Sequence, residues 1–423
     1  MTKRRIIQNT RLFFSFSMIV LLLTTSVWFP LNDTDAIRRY SRPFEFDYIR
    51  WEINAIWKKA LELSFGITHH LTIDQQHYII QDYISLLTQT KEMEQNLTRL
   101  YSEPGTKNSD LISALEKDLA QIQKQLKHQS MLAEPVIQNQ VSFAISNLGI
   151  SNIATPFPPV LYKASPLPKQ LIISPRDVIR QEKSISLVSD ISLQEMIALE
   201  ELVEEYTDFS ALVVPIGGVG TYPSMITQTT SLPNLLDTVA HEWIHNHLTF
   251  RPLGLRYGVS PALRTMNETT ANIAGEEIMQ ETLFLFHPKY IQDKSIAPES
   301  LQSNISYPPA QPDNSFSFPK MMYQTRVQVD ELLAQGKVEQ AEQYMESQRQ
   351  IFWENGYQIR KLNQAYFSFY GAYADAPFSA AGSDPVGEDV RLLRMQQPNL
   401  ASFVWKMSWM VNYRQLRLAA RAF

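Results

Sequence analysis

The stretch "TVAHEWIHNHLTF", residues 238 to 250, places three of the chain's eight histidines within seven positions. His241 and His245 are four apart, about 40° around a helix axis, so both rings reach one point in space from adjacent turns. His247 lies roughly 200° round from His245 and cannot share that point, so it reads as a surface or supporting residue. Two imidazoles at this spacing suit a metal ion. With no cysteine in the chain, any metal must be held by His, Asp or Glu. Glu242 sits about 100° round from His241, where a carboxylate can reach a metal-bound water without occupying the metal. The five residues form an H-E-x-x-H pattern, which chance would place in on the order of 0.01 such chains. A pair of histidines makes an incomplete zinc site, so a third ligand must come from downstream.

Two elements have to position these groups. Ser231 can cap a helix with Pro233 inside its first turn, and Leu235, Leu236, Val239, Ala240, Trp243 and Ile244 supply its apolar side. In "PALRTMNETTANIAGEEIM", Pro261 to Met279, the apolar run Ala271, Ile273, Ala274 and Ile278 predicts a second helix. Glu268, Asn272 and Gly275 or Glu276 share one face of it, and the twenty-two residues between His245 and Glu268 suffice for a loop and return. This segment offers the third ligand from among its glutamates, Glu268, Glu276 and Glu277.

Over Ser231 to Glu277 the chain resembles the gluzincin metallopeptidases, in which H-E-x-x-H is followed by a helix bearing N-E and a glutamate ligand. The resemblance implies that His241, His245 and Glu268 bind one zinc ion and that Glu242 activates the water. Asn272, four past Glu268, falls where many members carry an aspartate that orients a ligand histidine. The metzincin pattern fails, since Leu248 and Arg251 stand where it needs glycine and histidine. A spanning-helix protease is excluded by the polarity of "DTVAHEWIHNHLTFR".

Zinc chemistry of this kind makes water a nucleophile near neutral pH; Glu242 would take its proton and pass it to the leaving amine. A second donor for the oxyanion must come from elsewhere. In "KLNQAYFSFYGAYAD", Asn363, Tyr366, Tyr370 and Tyr373 fall within about 80° on a helical wheel. This segment is similar to a downstream N-N-A motif with a following tyrosine in the predicted aminopeptidases of the same clan, which favours Tyr373. The competing reading is a buried aromatic stripe. Val213 to Gly218, with Gly217 and Gly218, is the candidate edge strand for a substrate backbone. His69 and His70 read as structural.

The remainder of the chain sets the frame. Its 423 residues are 44% hydrophobic with a net charge of −5, enough for a sizeable core and giving no pull towards nucleic acid. No G-K-[ST] follows Gly220, so the glycine-rich bend is not a phosphate loop. From Leu12 to Phe29 runs an uncharged stretch of 18 residues preceded by Lys3, Arg4, Arg5 and Arg11. It predicts a membrane anchor over 1–30 with the rest of the chain extracytoplasmic, the alternative being secretion after signal cleavage. Residues 45–150 predict a helical region: an amphipathic helix around Trp51 and Trp57, then a hairpin of two helices able to brace the fold or self-associate. "ATPFPPVLYKASPLPKQ" holds five prolines in seventeen residues and marks a boundary. From 151 to 423 follows the catalytic domain, with strands "QLIIS", "ISLVS" and "SALVV" and the helix "LQEMIALEELVEEY". The expectation is thus an α+β, helix-rich fold with a small sheet. The function expected is a membrane-anchored zinc peptidase acting on a peptide or protein, the alternative being a catalytically silent peptide-binding or scaffold protein.

Overall fold

The computed structural model describes residues 33–64, 71–102, 109–151, 156–292, 316–371 and 385–421. The chain divides into two compact units, Met1–Arg42 and Pro43–Phe423. In the first unit the described part is helix α1 (Asp33–Ser41). The second unit is helix-rich with two small sheets, an α+β arrangement.

Helix α2 (Tyr48–Ser64) precedes two long helices, α3 (Ile73–Ser102) and α4 (Ser109–Asn147). They run antiparallel, as the hairpin reading expects: Gln123 bonds Glu94 at 3.3 Å, while Gln129, further along α4, reaches back to the Ile79 carbonyl at 3.1 Å. Pro135 lies inside α4 and removes one backbone donor. Beside it, Glu134 is fully buried and takes Lys59 at 2.5 Å and Lys163 at 3.0 Å, which ties α2 and the strand after α4 to one carboxylate.

The three strands β1 (Tyr162–Ala164), β2 (Lys169–Pro175) and β3 (Lys183–Leu187) are followed by helix α5 (Leu193–Tyr206), whose bounds match its amphipathic pattern. Ser192 and Glu195 close a capping box that starts it. Next come β4 (Phe209–Val214), β5 (Gly218–Val219) and β6 (Ser224–Ile226). One antiparallel sheet has the order β3-β2-β4, with Leu171 paired to both Ile185 and Val213. The other has the order β1-β6-β5, with β1 parallel and β5 antiparallel to β6, so β5 is an edge.

Helix α6 (Leu232–Thr249), the short α7 (Pro252–Leu255) and α8 (Pro261–Phe286) carry the motif region. A short α9 (Lys289–Gln292) ends this run. Helices α10 (Phe318–Ala334) and α11 (Val338–Glu354) pack together, and α12 (Gln364–Tyr370) lies on β2 and β4. The chain closes with α13 (Val386–Gln396), α14 (Leu400–Ser408) and α15 (Tyr413–Ala420). The larger core joins α3, α4, α6, α8 and the last three helices, so the long hairpin shares its apolar interior with the motif helices. A second core joins β2 and β4 to α10, α11 and α12 through Ile172, Leu212, Phe352 and Phe367.

The membrane expectation needs correction. Leu12 to Phe29 lie outside the described residues, and among the described residues no helix is long and apolar enough to cross a membrane. The longest, α3 and α4, present Lys91, Glu92, Lys124 and Lys127 to solvent, a polar face that a lipid core would not accept. The transmembrane helix, the membrane partner and the extracytoplasmic placement are therefore withdrawn.

A contact between buried His287 and half-buried His77 predicts a loss of stability in acid. His287, just past α8, bonds Gln140 through Nε2 at 2.9 Å and faces His77 Nδ1 at 3.2 Å. Burial, then the neighbouring His77, pushes its pKa down to about 4. Between the unfolded value near 6.5 and that folded value the unfolded chain binds more protons, so this contribution to stability is present above pH 6.5 and lost as pH falls to 4. The full loss is up to roughly 3 kcal/mol. In denaturant titrations, His287→Gln should lose less stability than wild type between pH 7 and pH 4; parallel losses would rule the group out.

Candidate metal centre

Ser231 caps α6 by accepting the Asn234 amide at 3.3 Å, with Pro233 in the first turn, as the sequence pattern expects. Ser260 does the same for α8, accepting Leu263 N–H at 3.3 Å ahead of Pro261. The two helices pack closely because Gly275 faces the backbone of α6: a Cβ there would lie 3.1 Å from His241 N. This contact sets the second helix against the first at the level of the histidines.

His241, His245 and Glu268 meet in the resulting cleft, each offering one ligand atom within 4.8 Å of the others. The two Nε2 atoms stand 2.9 Å apart, and Glu268 Oε2 lies 3.7 Å from His241 Nε2 and 3.4 Å from His245 Nε2. Glu268 Oε2 is buried without a hydrogen-bond partner. An orphaned carboxylate oxygen beside two converging imidazole nitrogens fits a cation, since burial without one leaves the acceptor unsatisfied. His245 Nδ1 contacts Asn267 Oδ1 at 2.8 Å; donating its proton there leaves Nε2 as the lone pair facing the cluster. The other Glu268 oxygen accepts from the Tyr257 hydroxyl, which in turn accepts from Arg264 Nε at 3.2 Å. Asn272 approaches His241 and raises its pKa slightly, although its Oδ1 and His241 Nδ1 both lack a hydrogen bond of ordinary geometry.

Burial and mutual charge shift each titratable group of the cluster. Burial, then the His245 charge, lowers the His241 pKa to about 3. Burial opposes the charged form of His245 as well, but Glu268, Glu242 and the Asn267 contact together outweigh it and the value rises to about 9. Glu268 shows the reciprocal effect: burial raises its pKa, yet His245 and His241 bring it well below the usual carboxylate range. Glu242 is buried beside this pair, its pKa pushed up to about 7 by burial and by Glu268 against the pull of His245.

The cleft holds about 320 Å³ and is walled by β5, by Gln170, Gln181 and Ser184 of the β2–β3 hairpin, and by Phe369. Gly218 is fixed by its neighbour: a Cβ there would lie 2.3 Å from Glu242 Oε1. Gly218→Ala should therefore displace that carboxylate. It is expected to lower any hydrolysis supported by Glu242 roughly tenfold while bound metal stays constant, as measured by turnover and metal content on one preparation. Gly217 lies just before β5, where its carbonyl accepts Thr227 N–H at 3.2 Å.

The other expected site residues are placed as follows. His247 points away from the cleft, its ring 4.9 Å from Trp243 and its Nδ1 3.1 Å from the Phe157 carbonyl. Glu277 is held by Arg394 at 2.6 Å and Glu276 is exposed beside Gln280, so neither joins the cluster. Asn363 caps α12 and donates to the Ala211 carbonyl at 3.0 Å. Tyr366 and Tyr370 belong to the second core, their rings 4.5 Å apart, and neither lines the cleft. Tyr373, His69 and His70 lie outside the described residues. Tyr257 and Arg264 are the functional neighbours that the sequence pattern misses. Arg264 was within reach of helical spacing, four residues before Glu268; Tyr257 sits in an aperiodic loop and carried no signal.

Compared with known proteins, the chain matches no protein-family model, no curated protein and no solved structure.

Proposed function

We propose that the chain is a zinc-dependent hydrolase of peptide bonds, of the gluzincin type that its motif resembles. The observation that carries this reading is the shared cleft: a converging His-His-Glu cluster and a separate buried carboxylate, Glu242, which is not one of the three clustered ligands. A silent scaffold has no use for that carboxylate. Two imidazoles and one carboxylate without thiolate are a donor set that suits zinc, and three protein ligands leave a fourth position open. A zinc ion held there would act as a Lewis acid and make water a usable nucleophile near neutral pH.

The chain's own residues divide the remaining work. Asn267 holds His245 in one tautomer, and Tyr257 holds one Glu268 oxygen so that the other faces the histidines. Glu242 takes the proton of the attacking water on its carboxylate and delivers it to the nitrogen of the leaving amine. The free edge of β5, next to Glu242, offers backbone groups with which an extended peptide can pair.

The test is hydrolysis of a mixed peptide library by the purified full chain with zinc, read by mass spectrometry. Cleavage should stop on chelation and return with added zinc. Zinc-loaded protein that cleaves nothing would sink the assignment.

A further inference from the structure

A second cavity of about 630 Å³ lies beside the metal cleft and shares Gln181, Ser184, Tyr257 and Arg264 with it. Its charge is one-sided. Arg180, Lys183, Arg264 and Arg326 line it against the single carboxylate of Glu182, in a chain whose net charge is −5. The guanidinium groups are held in place: Arg180 by Glu182 at 2.8 Å, Arg326 by Asp330 at 2.7 Å, and Arg264 by the Ser368 carbonyl at 2.7 Å and the Tyr257 hydroxyl at 3.2 Å. The bonds from Arg264 to these two oxygens orient its guanidinium towards the cavity wall. Lys183, half-buried on β3, has no carboxylate partner among the described residues. The cavity also abuts Ser260 and Pro261, where the 26-residue helix α8 begins with the positive end of its dipole.

We propose that this cavity is a subsite for a carboxylate of a peptide that lies across the metal cleft. The inference rests on the peptidase reading for the identity of the ligand, and adds the substrate class. A carboxylate entering here gains charge-assisted hydrogen bonds from Lys183 and the guanidinium groups, whereas a carboxamide of the same shape gains only neutral ones. Gln181 stands on the wall common to both cavities with its Oε1 buried and without a hydrogen-bond partner, an acceptor available to a peptide N–H passing between them. The carboxylate can be the carboxy terminus of the peptide or an aspartate or glutamate side chain.

Binding rather than cleavage tests this, using zinc-loaded full chain carrying Glu242→Gln so that the probe is not consumed. Four sets of fluorescent alanine pentapeptides are compared: free acid, carboxy-terminal amide, amide with one glutamate scanned through the positions, and amide with glutamine at the same positions. One acidic form should bind roughly tenfold tighter than its neutral twin, the first pair marking a terminal carboxylate and the second a side chain. Lys183→Gln should remove most of that preference and leave affinity for the neutral twin unchanged. Equal binding of all forms, no binding by any, or a preference untouched by Lys183→Gln overturns the proposal. Absence of cleavage by wild type, with the preference intact, removes the peptidase reading and leaves the subsite standing.

Discussion

Glu242→Gln is expected to lower peptide hydrolysis by roughly 10² or more while zinc remains bound. Glutamine keeps the size of the side chain, and therefore its packing against Gly218, where a Cβ would lie 2.3 Å from Oε1. The ability to accept a proton is lost, together with the negative charge. The three clustered ligand atoms belong to His241, His245 and Glu268, so the substitution leaves the donor set whole. A scaffold that uses the same fold for binding predicts a different result, because wild type and variant would then be alike and neither would cleave. Measuring zinc content and turnover on the same two preparations separates the cases. A variant that loses zinc together with activity would mean that Glu242 holds the metal rather than the proton.

How far the sequence foretold this arrangement depended on whether the information was local. The bounds of α5, the cap and proline at the start of α6 and the existence of α8 are carried by spacing and capping residues within one or two turns, and each appears in the structure. The cluster itself was legible for the same reason, since the four-residue step between His241 and His245 fixes two of its three vertices. Contacts that depend on how separate elements meet were not. Tyr257 reaches Glu268 from a loop with no periodicity, and Lys183 gains meaning only when the β2–β3 hairpin folds against the start of α8. The tyrosine stripe shows the converse case, in which the buried-stripe reading holds for Tyr366. Its spacing presumes a helix that reaches Tyr373, whereas α12 spans Gln364–Tyr370, and burial against β2 and β4 turns Tyr366 into the second core. Helical spacing alone does not say which side of a helix meets a site and which meets a core. The apolar run near the amino end is a different case, because composition described its lipid affinity while none of its residues is among those described.

Glu268→Ala should leave the protein folded but with zinc affinity reduced by on the order of 10² or more, since it removes one of three protein ligands from a site that also needs an open position. The substitution takes away the buried carboxylate whose Oε2 has no hydrogen-bond partner, and with it the negative charge that offsets a cation between two imidazoles. The Tyr257 hydroxyl loses its acceptor while Arg264 keeps the hydroxyl as its own, so a small loss of stability accompanies the change. His247→Ala is the matched control: it removes an imidazole two residues from a ligand, yet that ring packs on Trp243 and bonds the Phe157 carbonyl. Zinc content should therefore stay near one per chain in His247→Ala and fall sharply in Glu268→Ala when both are measured against a competing chelator. Retention of zinc by Glu268→Ala would show that the third ligand comes from elsewhere. Because Glu277 is already committed to Arg394 and Glu276 is exposed, no neighbouring glutamate of α8 stands ready to replace it.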